Sequence, residues 1–145
     1  MKWFRKLSPA IILFLIVFLV FSFFHIDGRE IRNIEKLDGS CDVTVIVCKD
    51  NEEPLTYQLS PEQIIKLREL LRQNHYTRRL TNTIIGVLPD TDYSILADWN
   101  DNGKTNLYIR MLGGEYIQFT EQFGSNYNKI KNPQFEQKLL AVLNP

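Results

Sequence analysis

Asp98, Asn100, Asn102 and Gly103 stand in "ADWNDNGKTNLYI" (97–109) where the first half of a calcium loop, D-x-[DN]-x-[DN]-G, puts its oxygen ligands and its turn glycine. Such a loop closes with a bidentate carboxylate at its twelfth position. Here that position is Ile109, which has no oxygen to offer. Calcium loops are flanked by helices, whereas both flanks here alternate apolar and polar residues with the two-residue period of strands. A hairpin accounts for the same residues. A three-residue loop, Asp101-Asn102-Gly103, pairs Trp99 with Thr105, Ala97 with Leu107 and Ile95 with Ile109. Tyr93, Ile95, Ala97, Trp99, Leu107, Ile109 and Met111 then share one face, and Ser94, Asp98, Asn106 and Arg110 the other. A one-residue slip would exchange the faces, and the left-handed position that ends such a loop falls on Gly103. The next link, "LGGEY", keeps the parity, with Met111 opposite Ile117 and Ile109 opposite Phe119. It lacks the Lys-Ser/Thr and the following helix of a phosphate-cradling loop.

Arg68, Arg72, His75, Arg78 and Arg79 form the one local basic cluster. Arginine forks hold carboxylate or phosphate in a bidentate way, so these five are the candidates for an anionic ligand or partner, with Glu69 partly compensating them. Cys41 and Cys48 are the sole cysteines, and His25 and His75 the sole histidines. Spaced C-x6-C with no histidine nearby, the cysteines make a poor zinc pattern. On a strand, seven residues at ~3.3 Å put them about 23 Å apart, while a disulfide needs a Cα separation of roughly 4.4–6.8 Å. They read as free thiols. Nothing in the spacing ties a cysteine to a histidine, and no G-x-S-x-G is present. No residue is therefore assigned to catalysis, to a cofactor or to a metal, and the chain is expected not to be an enzyme.

The elements that position these residues follow from periodicity. Val43, Val45 and Val47 line one face of a strand at 42–48, joined by Cys41. Leu55, Tyr57 and Leu59 do the same after the turn "KDNEE", giving a hairpin. "LSPEQIIKLRELLRQN" is the clearest helix: Ser60 caps it, Pro61 starts it and Gln63 completes a capping box. Ile64, Leu67, Leu70 and Leu71 form its buried stripe, and Asn74 serves as a left-handed stop. A further strand is expected within 76–88, then the meander "YSILADW", "TNLYIRML", "EYIQFTEQ", with "NYNKIKN" as a short edge strand. A last helix is capped by Asn132, started by Pro133 and packed through Phe135, Leu139, Val142 and Leu143. The fold class is α+β, a twisted antiparallel sheet with one long helix packed on it and a short C-terminal helix.

Residues 7–24, "LSPAIILFLIVFLVFSFF", carry no charge. At ~1.5 Å per residue they make a helix of about 27 Å, close to a ~30 Å hydrocarbon layer. No small-residue pair follows to mark a cleavage site, and "LDGSC" at 37–41 lies too far beyond to be a lipoprotein signal. The segment therefore reads as an uncleaved transmembrane anchor whose partner is the lipid bilayer. Lys2, Arg5 and Lys6 precede it, so the basic-residue rule puts residues 1–6 in the cytoplasm and the rest outside. The expected division is 1–6 cytoplasmic, 7–24 membrane-spanning, 25–40 a juxtamembrane linker with a short first strand or helical turn, and 41–145 an extracytoplasmic domain. Three of the 17 basic side chains precede the span. This leaves 14 against 17 acids beyond it, which argues against a nucleic-acid partner. The function expected is a single-pass cell-membrane protein whose outer domain binds a ligand or another envelope protein. The alternatives are an immunity protein against a toxin or lytic enzyme, and an envelope enzyme with an unrecognised site.

Overall fold

The computed structural model describes residues 8–80, 89–99, 105–120 and 126–144. Three α-helices and an eight-stranded sheet make up the described residues. The strands are β1 (His25–Asp27), β2 (Asp42–Lys49), β3 (Leu55–Gln58), β4 (His75–Thr77), β5 (Thr91–Asp98), β6 (Leu107–Leu112), β7 (Tyr116–Phe119) and β8 (Asn128–Ile130). The helices are α1 (Pro9–Phe24), α2 (Pro61–Arg72) and α3 (Phe135–Leu143). Neighbours across the sheet run β1-β4-β8-β7-β6-β5-β2-β3, and every pair is antiparallel.

Alternation decides which face is core. Val43, Val45 and Val47 of β2, Tyr93, Ile95 and Ala97 of β5, and Leu107, Ile109 and Met111 of β6 are all buried. They meet in register: Val45 lies opposite Ile95, and Ile95 opposite Ile109. The next link matches as well, with Ile109 opposite Phe119 and Met111 opposite Ile117. The loop at 100–104 that joins β5 to β6, and most of the 76–88 stretch, lie outside the described residues.

Helix α2 covers this core. Ser60 Oγ accepts the Gln63 N–H while Gln63 Oε1 accepts the Ser60 N–H, so two end donors are satisfied reciprocally. Ile64, Leu67 and Leu71 are fully buried, each contributing about 1.5–3 kcal/mol of transfer free energy; Leu70 is only partly covered. Gln63 reaches on to α3, its Nε2 donating to Val142 O at 2.7 Å. Asn74 is not a left-handed stop. The helix ends at Gln73 in right-handed conformation, and Asn74 is buried, its carbonyl accepting the Gly28 N–H at 2.8 Å. Helix α3 starts at Phe135, two residues later than Pro133. Asn132 Oδ1 accepts the Gln134 N–H in the turn before it.

Residues 25–40 run along α2 as β1 and two short 3-10 turns, with Ile26, Ile31, Ile34 and Leu37 buried. Nor is the segment 126–130 an edge strand, because β8 lies between β4 and β7.

The expected transmembrane anchor is overturned. Helix α1 has 16 residues, about 24 Å at 1.5 Å per residue, well short of the ~30 Å hydrocarbon core. Ser8 and Pro9 start it and the chain leaves it at His25 as strand β1. Among the described residues no helix is long and apolar enough to cross a membrane. The lipid-bilayer partner, the single-pass cell-membrane location and the span at 7–24 are corrected together. So is the tethered extracytoplasmic binding domain. Its immunity and envelope-enzyme alternatives fall too, since only the span's orientation placed them outside the cell. α1 is nevertheless apolar all round, and none of its residues is buried.

Gly28 is where β1 meets the end of α2. A Cβ there would fall on the Leu71 carbonyl oxygen and lie 2.6 and 2.8 Å from those of Arg72 and Asn74. Backbone cannot yield as a side chain does. Gly28→Ala is therefore expected to destabilise the fold by about 1–3 kcal/mol, read as a lower urea midpoint at unchanged slope; an unchanged midpoint would refute this close approach.

Candidate functional site

The arginine–histidine cluster is carried by the end of α2, by β4 and by the two residues after it. On α2, Arg72 Nε lies 3.0 Å from Glu35 Oε1, and its Nη1 3.6 Å from Glu69 Oε1, while Arg68 Nε lies 3.4 Å from the same Glu69 oxygen. Long side chains half in water make such pairs worth at most about 1 kcal/mol. The next two arginines lie over rings: the Arg78 guanidinium sits 4.6 Å from the centre of Phe23 and that of Arg79 5.2 Å from Tyr116. His75 points its Nδ1 towards Asp27 Oδ2 at 4.0 Å and lies 5.1 Å, ring to ring, from His25. His25 in turn has Lys131 Nζ 3.5 Å from its Nδ1 and Phe21 stacked at 5.7 Å. The five residues thus occupy three settings: acid-paired on α2, beside Asp27 on the sheet, and over aromatic rings.

A groove among the described residues lies elsewhere, on the sheet face away from α2 and α3. It encloses about 470 Å³. Asp42 and Asp98 lie directly opposite each other across β2 and β5 at its side, with Leu96 in its lining. Thr44 Oγ1 donates to Gln58 Oε1 at 2.8 Å, tying the groove to β3. Asp98 is the first residue of the half calcium motif. Asn100 and Asn102 lie outside the described residues, and Ile109 is a fully buried core residue of β6, so the loop has no closing ligand. Among the described residues no three histidine, cysteine or acidic side chains gather as a metal site.

The cysteines are free, Cys41 buried and Cys48 exposed. Burial pushes the Cys41 thiol above its ordinary pKa, making it a poorer nucleophile. The Tyr93 phenol donates to Glu136 Oε1 at 2.8 Å, and burial, then this carboxylate, raise its pKa. Tyr76, fully buried, donates to Leu71 O and is likewise raised by burial. Both tyrosines hold helices to the sheet. On the outer face Arg110 grips Asp92 through Nε at 2.9 Å and through Nη2, which raises the guanidinium further.

Sequence reasoning missed the groove because its two acids come from strands far apart in the chain. The signal present was that both Asp42 and Asp98 fall on the polar phase of their strands. No protein-family model matches the chain, and no curated protein or solved structure matches it.

Like charges directly opposite on a sheet repel by roughly 0.2–1 kcal/mol. Asp42→Asn is therefore expected to raise stability by about that amount at low ionic strength, and the gain should shrink in high salt as the pair is screened. Urea titrations at two salt concentrations read this directly. A loss of stability would mean that the pair does not repel.

Proposed function

We propose that the chain is a non-catalytic, self-assembling module in which α1 is the assembling element. One observation carries this reading: sixteen consecutive residues form a helix without a charge, and none of them is buried. Ile11 to Val20 are 42–68% exposed, as are Phe21 and Phe23. A helix apolar on every side belongs inside a large core or a membrane. With the helix too short for the second, the first is left. The apolar surface one helix leaves in water is stabilised by burial at about 25 cal/mol per Å², and copies of the same chain supply a matching surface at equal concentration.

Most oligomers of identical chains are closed by symmetry. A two-helix pair covers one side of each helix. A bundle of three or more covers a larger share, with helix axes about 8–10 Å apart. Phe14 and Phe18, stacked one turn apart at 6.5 Å, offer a ready seam. The non-catalytic part of the reading draws on where the polar side chains go. Arg68, Arg72 and Arg110 answer acids of the same chain, and the Tyr93 and Tyr76 phenols hold helices.

Sedimentation velocity without detergent tests the reading, on the full chain, on Phe18→Asp and on a chain beginning at His25. The full chain is expected as a discrete trimer or larger species. Phe18→Asp should shift it to monomer, and the shortened chain should be monomeric with its sheet spectrum intact. A monomeric full chain would overturn the proposal, as would one that disperses only by floating with lipid vesicles. Turnover of any substrate by the folded chain would overturn the non-catalytic half.

A further inference from the structure

The sheet has two edges, and they are not equally closed. At β1 the inward bonds are those of Arg78 N to Phe24 O and Gly28 N to Asn74 O, so by antiparallel alternation His25 and Asp27 point outward. The His25 N–H is already taken by Phe21 O as α1 ends, and the Asp27 carboxylate is folded back onto the Arg29 N–H. At β3 the inward bond is Leu59 N to Val43 O at 2.9 Å. The same alternation turns Tyr57 and Leu55 inward to β2, and it turns the N–H and C=O of Thr56 and Gln58 outward. Among the described residues β3 pairs with β2 alone.

The open run has defined ends. Pro54 has no N–H to give, and the Ser60 N–H is held by Gln63 Oε1. Edges are commonly guarded by charged side chains, yet residues 54–61 carry none. On the core side Leu55 is 48% exposed and Tyr57 half-buried, an apolar ledge along the edge. Both ends of the strand are acidic. Before it lies the turn with Asp50, Glu52 and Glu53, whose Lys49 is tied to Glu52 at 3.8 Å. Beyond Gln58 lies the groove with Asp42 opposite Asp98.

We infer that β3 is a docking strand for an extended basic peptide segment. The segment adds to the sheet through Thr56 and Gln58, lays an apolar side chain over Leu55 and Tyr57, and sets Lys or Arg against the acids at either end. Strand addition of this kind takes affinity from main-chain bonds and specificity from alternate side chains. A second copy pairing β3 with β3 would set acidic turn against acidic groove, so charge selects a basic partner over self-pairing. The inference concerns the edge opposite α1 in the sheet order, and it stands whether or not α1 assembles copies.

The test is fluorescence anisotropy on the full chain with a labelled heptapeptide, Lys-Val-Thr-Val-Thr-Val-Lys, whose alternation sets the valines on the Leu55–Tyr57 face and both Lys on the face of the groove. Two controls accompany it, one with Glu in place of both Lys and one N-methylated on alternate backbone nitrogens. The basic peptide is expected to bind, more weakly as salt rises. The acidic one should bind at least about tenfold more weakly, and the methylated one should not bind. Binding should slow amide exchange at Thr56 and Gln58. Thr56→Pro removes an outward N–H at an edge position where proline is tolerated; it should abolish binding with the fold retained by circular dichroism. Glu53→Lys, which leaves the backbone alone, should narrow the preference for the basic peptide. Absence of binding overturns the inference, and so does equal binding by the methylated peptide or by a folded Thr56→Pro chain.

Discussion

The eight-residue ladder between β2 and β5 is the constraint on which the rest of this fold depends. It sets Val43, Val45 and Val47 against Ala97, Ile95 and Tyr93, all buried, and joins residues on either side of α2. Its register fixes the phase of β6 and β7 beyond it and leaves β3 as the outermost strand. It also sets Asp42 opposite Asp98 on the outer face, and slipping by one residue to part them would expose the whole valine face. The core's gain, roughly 1.5–3 kcal/mol for each buried aliphatic side chain, outweighs a pair of opposed surface carboxylates at ~0.2–1 kcal/mol.

What the sequence discloses and what it hides divide along this line. Local patterns were legible: the valine alternation, the Ser60–Gln63 box, and the parity that pairs Ile95 with Ile109 and Met111 with Ile117. Each depends on residues within one element or across one short link. Long-range placement was not legible. Nothing in "NYNKIKN" says that its strand slots between β7 and β4, because β4 is distant in the chain. Asn74 looked like a helix stop by residue type. Burial overrode that preference, and its carbonyl is used by Gly28 instead. Ile26, Ile31, Ile34 and Leu37 are spaced too irregularly for one period, since they sit on a strand and two tight turns that follow α2.

The site was harder to read for the same reason. Arg68, Arg72, His75, Arg78 and Arg79 are neighbours in the chain, but helix end, strand and the segment after it send them in different directions, to Glu35 and Glu69, to Asp27, and to aromatic rings. The α1 segment misled differently. Composition made it read as a span, while its geometry stops at Phe24 because His25 already belongs to the sheet. An apolar helix with no buried residue, and a strand edge that no described element closes, sit at opposite ends of the strand order.

Cross-strand Hα–Hα contacts by nuclear magnetic resonance test the β2–β5 register most directly. Asp50 N bonds to Asp90 O at 3.1 Å, so alternation makes Val45–Ile95 and Val47–Tyr93 non-hydrogen-bonded pairs, the closely spaced kind. Strong contacts between those partners are the predicted result. Strong contacts from Val45 to Ser94 or Leu96 would contradict the register, and with it the buried valine face, the acidic groove and the alternation drawn for the β3 edge.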